Sequence, residues 1–179
     1  MKALRSAALA ASVFLSFAVP PTLRAQALPL STAPASLEDR RAALNGLFHE
    51  YWEAYLEHSP EFASTIGDKR FNDRISEYSV QAENDWLASE QKYLMRLVTI
   101  DTTGFTDQEK TSRELLMREF ADDQEAAEFK EWEMPIDQLG GIYSEYPQLV
   151  AELSFTSVKD YDDWIARLRA IPKAFDQVT

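Results

Sequence analysis

The chain has 179 residues, of which 45% are apolar and 27% are charged, a balance typical of a globular protein of about one domain. It contains no cysteine, which excludes disulfides, thiolate zinc sites and cysteine nucleophiles, and its two histidines, His49 and His58, leave little for a histidine-rich metal site or a serine–histidine triad. Eighteen basic against thirty acidic residues give a net charge of −12, which argues against nucleic acid as a partner.

Residues 1–27 have the three-part layout of a secretory signal peptide. Lys2 and Arg5 form a basic start, residues 7–19 form an apolar run, and residues 25–27 place small side chains where a signal peptidase reads them. The run is shorter than the ~20 residues that a membrane span needs. The sequence therefore predicts export to the bacterial periplasm or medium, with no stable membrane anchor after cleavage. A buried N-terminal helix is the alternative.

A flexible lead-in rich in proline, serine, threonine and alanine, residues 28–35, precedes the first helix. Ser36 can cap this helix, and Asp39 then lies where a negative charge favours the helix N-terminus. Apolar residues at helical spacing continue until Ser59 and Pro60 end the helix. We expect the aromatic stripe on its apolar face to belong to the core; it consists of Phe48, Tyr51, Trp52 and Tyr55.

Pro60 can open a second, short helix over residues 61–66, with Ser59 as its N-cap. Gly67 suits the C-terminal end of this helix because glycine adopts the left-handed conformation found there. The segment that follows, residues 68–78, is polar and has no regular period. It is therefore expected to be irregular.

Two longer helices follow the irregular segment. Ser79 is the expected N-cap of an amphipathic helix that ends near Ile100. Thr106 and Glu109 have the spacing of a capping box, which predicts a further helix to about Ala127. Both helices carry apolar residues on one face, so both are expected to pack against the first helix.

The region over residues 129–155 contains prolines and paired glycines and is expected to be a long ordered connection with one short helix near residues 147–153. Ser157 and Asp160 then cap a last helix, which Pro172 is expected to interrupt. No strand-type alternation of useful length is present. The predicted fold class is all-α, an irregular array of about four to six helices with one long connection, forming part of a larger helical protein.

The first helix contains a histidine followed by glutamate, which invites comparison with zinc peptidases. Their motif needs two histidines four positions apart, so that both face one metal, but here Glu53 stands in the place of the second histidine. His58 lies nine positions after His49 and projects about 180° away from it on a regular helix. The two histidines cannot share an ion within this helix, so His49 is interpreted as a boundary residue.

Two further patterns favour structural over chemical interpretations. An acidic run lacks the glycine turn of a calcium loop and is expected to be a solvated helix face. The paired glycines, Gly140 and Gly141, permit close approach of the backbone to a ligand, but they lack phosphate-loop and dinucleotide spacing and favour a turn. The acidic run comprises Asp122, Asp123, Glu125, Glu128, Glu131 and Glu133.

Three segments, over residues 47–79, 132–141 and 154–177, together resemble the N-terminal part of the bacterial family known as domain of unknown function 885. The likeness lies in their order: an aromatic helix, Ser-Pro-Glu-Phe-Ala, a Gly-Asp turn, two helices, a connection with proline and glycine, and a Tyr-Asp-x-Trp helix ending in Ile-Pro. It spans roughly residues 44–178. The resemblance implies an exported, largely helical protein, several times longer, with His-Glu and Gly-His-His in its second half.

That second half resembles a zinc peptidase site, in which the metal activates water and a glutamate moves the proton. None of those ligands occurs here, so no catalytic or metal residue can be assigned in this chain. Zinc is expected only for the full-length family, and the expected partners are the C-terminal half of the same protein and a peptide substrate. Residues 36–179 are accordingly interpreted as a truncated N-terminal portion, because the chain stops within an expected helix.

The chain is thus expected to be an inactive fragment of a metal-dependent peptidase or hydrolase relative that helps to wall a substrate cleft. A small exported helical binding module without catalytic activity is the alternative. For Asp68 and Arg70, a turn cap and a surface ion pair are the structural alternatives to a place in that cleft. The candidate cleft residues are Gln138, Gly140, Gly141, Tyr143, Asp68 and Arg70.

Overall fold

The computed structural model describes residues 35–134, 136–137 and 140–178. Over those ranges the chain forms six α-helices and no β-strand, which confirms the all-α class. The predicted signal peptide, residues 1–27, and residues 28–34 of the lead-in lie outside the described residues. The helices are α1 (Leu37–His58), α2 (Pro60–Thr65), α3 (Val80–Thr99), α4 (Asp107–Ala126), α5 (Ile142–Glu152) and α6 (Val158–Gln177).

The N-termini of the four long helices are capped by the predicted side chains. Capping boxes, in which each partner satisfies the other's backbone N–H, open α1, α4 and α6. Ser79 caps α3 by accepting from the N–H of Ala82. Ser59 stands at the N-cap position of α2, but its side chain makes no capping hydrogen bond there. The boxes are Ser36–Asp39, Thr106–Glu109 and Ser157–Asp160.

The first apolar core lies between α1, α3 and α4. α1 runs antiparallel to α3, since Arg96 near the end of α3 pairs with Glu50 of α1 at 2.7 Å, whereas His58 at the end of α1 stacks on Trp86 in the first half of α3. The buried side chains come from all three helices and from the turn before α4. They are Leu44, Leu47, Tyr51, Leu97, Phe105 and Phe120.

Among the described residues, none of the helices combines the length and the apolar character that crossing a membrane requires.

The second core joins α5 to α6 and to the segment that precedes α3. Ile142, Tyr146 and Leu149 of α5 are buried with Ala174 of α6. Two residues of the irregular segment, Ile75 and Tyr78, and several of α6 pack against them; the α6 group includes Trp164, Ile171 and Phe175. The irregular segment therefore packs against α5 and α6 and forms part of this core.

Two side-chain interactions tie α6 to the middle of the chain. Arg167, which is fully buried, donates to the backbone carbonyls of Arg74 (2.6 Å) and Phe71 (2.9 Å) and to Ser64 Oγ (2.8 Å). Asp160 accepts from Lys69 Nζ at 2.8 Å. These interactions join α6 to the irregular segment, where Arg167 supplies donors to the carbonyls of Phe71 and Arg74.

The predictions about the two prolines in α5 and α6 are wrong. Pro172 does not interrupt α6, which continues to Gln177, and Pro147 lies in the middle of an eleven-residue α5 rather than at the start of a shorter helix. Proline removes one backbone bond and costs about 3 kcal/mol inside a helix. Packed residues on both sides of each proline stabilise the helix across it: buried Tyr146 and Leu149 in α5, and partly buried Ile171 and buried Ala174 in α6.

Two smaller expectations also need correction. Trp52, predicted to belong to the core, is 42% exposed, and only Tyr51 of the aromatic stripe is buried. The region over residues 129–155 is more helical than predicted, because it contains all of α5 and a 3-10 turn at Glu131–Glu133; another such turn, Ala127–Phe129, directly follows α4. Lys130 joins the two turns in the left-handed conformation, with φ 50°.

Candidate functional site

An open pocket of about 380 Å³, here called the acidic pocket, lies where the C-terminal ends of α1 and α4 meet the N-terminal half of α3. On each helix the residues that line it are three or four positions apart, so one face of each helix contributes. Ala126 and Ala127 are small, which leaves space at the end of α4. The pocket is lined by Tyr55, His58, Ser59, Glu83, Trp86, Leu87, Glu90, Asp123, Ala126, Ala127, Glu131 and Trp132.

Aromatic side chains form one wall of the acidic pocket. The rings of His58 and Trp86 are stacked, with centroids 4.0 Å apart and planes 5° from parallel. The Tyr55 ring lies 6.2 Å from Trp86, and Trp132 contributes from the 3-10 turn Glu131–Glu133. Stacked and tilted rings at these distances make a firm apolar surface.

Glu90 is the central carboxyl group of the acidic pocket. Its side chain is 2% exposed, and Trp86, whose only donor is the indole N–H, hydrogen-bonds to it. Its Oε2 accepts no hydrogen bond from any described residue. Burial, followed by repulsion from Asp123, raises the pKa of Glu90 to about 7. Glu90 therefore exchanges its proton near neutral pH.

The other titratable groups of the pocket make it acidic rather than basic. Burial raises the pKa of Glu83, and burial together with Asp122 raises the pKa of Asp123. Burial lowers the pKa of His58, although Glu61 partly opposes this, so the imidazole is neutral at neutral pH. No lysine or arginine lines the pocket within the described part of the chain.

The groups that line the pocket do not form a metal site. Over the described residues, no three histidine or acidic side chains converge closely enough to hold an ion. What the arrangement offers is negative charge, an unused hydrogen-bond acceptor on Glu90 and flat aromatic surfaces. These are features of a binding pocket for a small molecule or side chain.

Glu90 is not among the residues predicted from the sequence, although the sequence contains a signal for it. Glu90 falls in line with the apolar face of α3, at three and four positions from Leu87, Trp86 and Tyr93. A carboxyl group on an apolar face is an exception that calls for an explanation. Of the predicted acidic run, Asp123 and Glu131 line the pocket, so the run is not purely a solvated helix face.

Three of the predicted cleft residues meet at the start of α5. The N–H of Gly140 donates to Asp137 Oδ1 at 2.8 Å, and the hydroxyl of Tyr143 donates to the backbone carbonyl of Asp137 at 2.8 Å. Gly141, with φ 123°, is the N-cap of α5, a conformation that favours glycine. Gln138 lies outside the described residues. Their place in a substrate cleft stays a prediction.

The other two candidates form a cluster of charges on the surface. Asp68 caps the 3-10 turn Lys69–Phe71 by accepting from the N–H of Arg70. The Arg70 guanidinium lies 2.6 Å from carboxylate oxygens of both Asp68 and Glu53. The hydrogen bonds from Arg70 hold the pKa values of both carboxyl groups below their usual range. The geometry is that of a turn cap combined with a surface ion pair.

A second concave surface, here called the α5–α6 groove, is apolar. It has a volume of about 420 Å³, and its lining side chains carry no charge. Tyr143 of the predicted cleft set lines it, and Leu168 is 43% exposed. The groove is lined by Ile142, Tyr143, Tyr146, Pro147, Val150, Trp164, Leu168, Ile171 and Phe175.

The described residues form an all-α fold with an acidic pocket and an apolar groove. A family model described as "Bacterial protein of unknown function (DUF885)" matches residues 60–179, and the chain belongs to this family. The match contains α2–α6 and the whole α5–α6 groove, whereas α1 precedes it. Neither a curated protein nor a solved structure matches the chain.

Proposed function

We propose that this chain is the N-terminal helical portion of an exported protein related to metal-dependent peptidases and hydrolases. In this proposal it walls part of a substrate cleft and is inactive alone, because the zinc ligands belong to the C-terminal half of the same protein. Family membership supports the proposal through the resemblance described above. The observation that carries it is the α5–α6 groove, which lies wholly within the matched range.

The groove has the properties of a surface that packs against another part of a protein. Tyr143, Val150 and Leu168 line it and remain exposed, and on α6 the neighbouring Ile165 and Tyr161 are exposed as well. Contiguous exposed apolar surface of this kind marks an interaction site. Burying one leucine-sized side chain contributes about 1.5–3 kcal/mol. The proposed occupant is the C-terminal half of the protein, with its metal site.

The reading frame after the codon for Thr179 tests the proposal directly. We expect it to encode a further helical region with His-Glu followed by Gly-His-His. The encoded region, co-expressed with this chain, should then copurify with it. Leu168→Glu should abolish copurification, whereas Leu115→Glu, at an exposed position of α4 outside the groove, should leave it intact. A stop codon after Thr179 would refute the proposal.

Metal content provides a second, independent test. The proposal assigns no zinc ligand to this chain, so the dialysed chain should hold no stoichiometric zinc by atomic absorption. One tightly bound zinc ion per chain would contradict it, since the ligands would then lie in this half.

The second candidate function is that of a small exported helical binding module without catalysis. The acidic pocket, with its buried and incompletely bonded Glu90, is the observation that favours it. This candidate predicts a monodisperse chain that melts cooperatively alone. Association through the α5–α6 groove, relieved by Leu168→Glu, favours the first candidate instead.

A further inference from the structure

The acidic pocket contains a hydrogen-bond acceptor that the protein does not use. Glu90 is 2% exposed, lines the pocket, and has an Oε2 atom with no donor among the described residues. Buried polar atoms are nearly always hydrogen-bonded, because an unpaired one forfeits its interaction with water. We propose that the acidic pocket binds an alkylammonium or alkylguanidinium cation, and that a rotation of the Glu90 carboxyl group turns its enclosed Oε2 towards an N–H group of the cation.

The charge around the pocket favours a cation. Four carboxyl groups line it, those of Glu83, Glu90, Asp123 and Glu131, and the described lining residues include no lysine or arginine. The C-terminal ends of α1 and α4 also lie here, and a helix C-terminus carries a partial negative charge. Both effects attract a positive group and repel an anion.

The walls of the pocket favour an organic cation over a metal ion. Tyr55, Trp86 and Trp132 line the pocket, and aromatic π-faces attract alkylammonium and guanidinium groups; His58 covers one face of the Trp86 ring. A metal ion needs several converging oxygen or nitrogen ligands, and the described residues offer no group of three. The unpaired Oε2 needs a donor, so a cation that carries N–H groups fits better than a quaternary ammonium.

The protonation of Glu90 makes binding dependent on pH. Because the pKa of Glu90 is about 7, its carboxylate becomes fully charged only in mildly alkaline solution, where a cation binds best. His58 acts in the same direction, since its pKa is lowered and it loses its own positive charge below neutral pH. The titratable groups that interact with Glu90 are Tyr51 on α1, Glu83 on α3, and Glu119 and Asp123 on α4. Tyr55 and His58 on α1 and Glu131 beyond α4 line the same pocket.

The pocket involves α1, α3, α4 and the turn after α4, and no residue of the α5–α6 groove. The inference therefore goes beyond the first proposed function and does not depend on it, but it rests on the pocket of the second candidate and names a ligand class for it. If the chain is monodisperse and melts cooperatively but binds no cation, the ligand class fails and the binding module does not. A failure to copurify with a C-terminal half leaves cation binding untouched, and the reverse also holds.

The test is calorimetric titration of the full chain at about pH 8, one pH unit above the pKa of Glu90. The probes are acetyl-alanyl-arginyl-alanine amide, the same peptide with neutral citrulline in place of arginine, n-butylguanidinium and tetramethylammonium. Glu90→Gln removes the carboxylate with little change in shape. Glu114→Gln, at an exposed position of α4 outside the pocket, is the matched control for net charge.

We expect saturable binding of the arginine peptide, weakened about tenfold to hundredfold by Glu90→Gln and unchanged by Glu114→Gln. The citrulline peptide and tetramethylammonium should bind at least about tenfold more weakly. If n-butylguanidinium binds as well as the peptide, the cation alone is the ligand; if the peptide binds much better, the ligand is a basic side chain of a polypeptide. Equal binding of the citrulline peptide, equal effects of both variants, or no saturable binding would overturn the proposal.

Discussion

The imidazole ring of His58 lies flat on the indole ring of Trp86, with the two centroids 4.0 Å apart and the planes 5° from parallel. This stack joins the end of α1 to α3 and forms one wall of the acidic pocket. His58 is half-buried between the two helices, and this burial disfavours its charged form and lowers its pKa from 6.5. The stack therefore links the stability of the fold to pH.

We expect His58 to make the protein less stable in mild acid. The unfolded chain binds a proton at His58 from about pH 6.5 downwards, whereas the folded chain resists it, so the free energy of unfolding decreases as the pH falls from 6.5 through the lowered folded pKa. His58→Phe keeps an aromatic ring on Trp86 but cannot be protonated. Urea unfolding at pH 7.5 and pH 5 should show that this variant loses less free energy of unfolding between the two pH values than the wild type does. Exposed His49→Phe should behave as wild type. Equal losses for the wild type and both variants would disprove the link.

Glu90 should act in the opposite direction. Its folded pKa is about 7 and its ordinary value is 4.5, so the folded state holds the proton more tightly and stability decreases as the pH rises from 4.5 to 7. Glu90→Gln removes this dependence. The change that it causes in the free energy of unfolding should therefore be more favourable at about pH 8 than at pH 5, by on the order of 2 kcal/mol. Urea titrations at both pH values measure the difference. Exposed Glu114→Gln should show none.

Arg167 should be one of the most sensitive positions in the fold. Its guanidinium is fully buried and donates to three backbone carbonyls and to Ser64 Oγ. Arg167→Met removes these four hydrogen bonds and leaves the Arg74 carbonyl without its donor, which should lower the free energy of unfolding by about 3 kcal/mol. Arg169→Met, two positions away and exposed, should change it by less than about 0.5 kcal/mol. Similar losses for the two variants would show that the buried hydrogen bonds contribute little.

Asp160 is expected to stabilise α6 through its charge. Its carboxylate accepts from Lys69 Nζ at 2.8 Å and from the backbone N–H groups of Thr156 and Ser157, and these bonds, led by Lys69, hold its pKa well below 3.8. The stabilisation is present above about pH 4 and is lost as the pH falls through the folded pKa. Asp160→Ala should therefore lower the urea midpoint at pH 7, whereas exposed Asp162→Ala should not. A midpoint equal to that of wild type would contradict this role.

The helix boundaries were largely predictable because they depend on neighbouring residues. Capping boxes such as Ser36–Asp39 and Thr106–Glu109 act over three positions, and Gly67 and Gly104 adopt the positive φ that turns require. The two proline predictions failed because the outcome does not depend on neighbouring residues alone. Whether a helix continues across Pro147 or Pro172 depends on burial of the residues on both sides, which no local pattern reports.

By itself, the sequence determined the all-α class, the family and the absence of cysteine chemistry, since these follow from local periodicity, segment order and composition. Only the tertiary structure decided that Glu83, Glu90 and Asp123 share one pocket with His58 and Trp132, residues spread over 75 positions of the chain. The pKa of Glu90 likewise depends on burial by three packed helices and on the carboxyl group of Asp123 from α4. The desolvation of Glu90 and its repulsion from Asp123 depend on which groups lie close together in space, and the packing of α1, α3 and α4 brings these groups together.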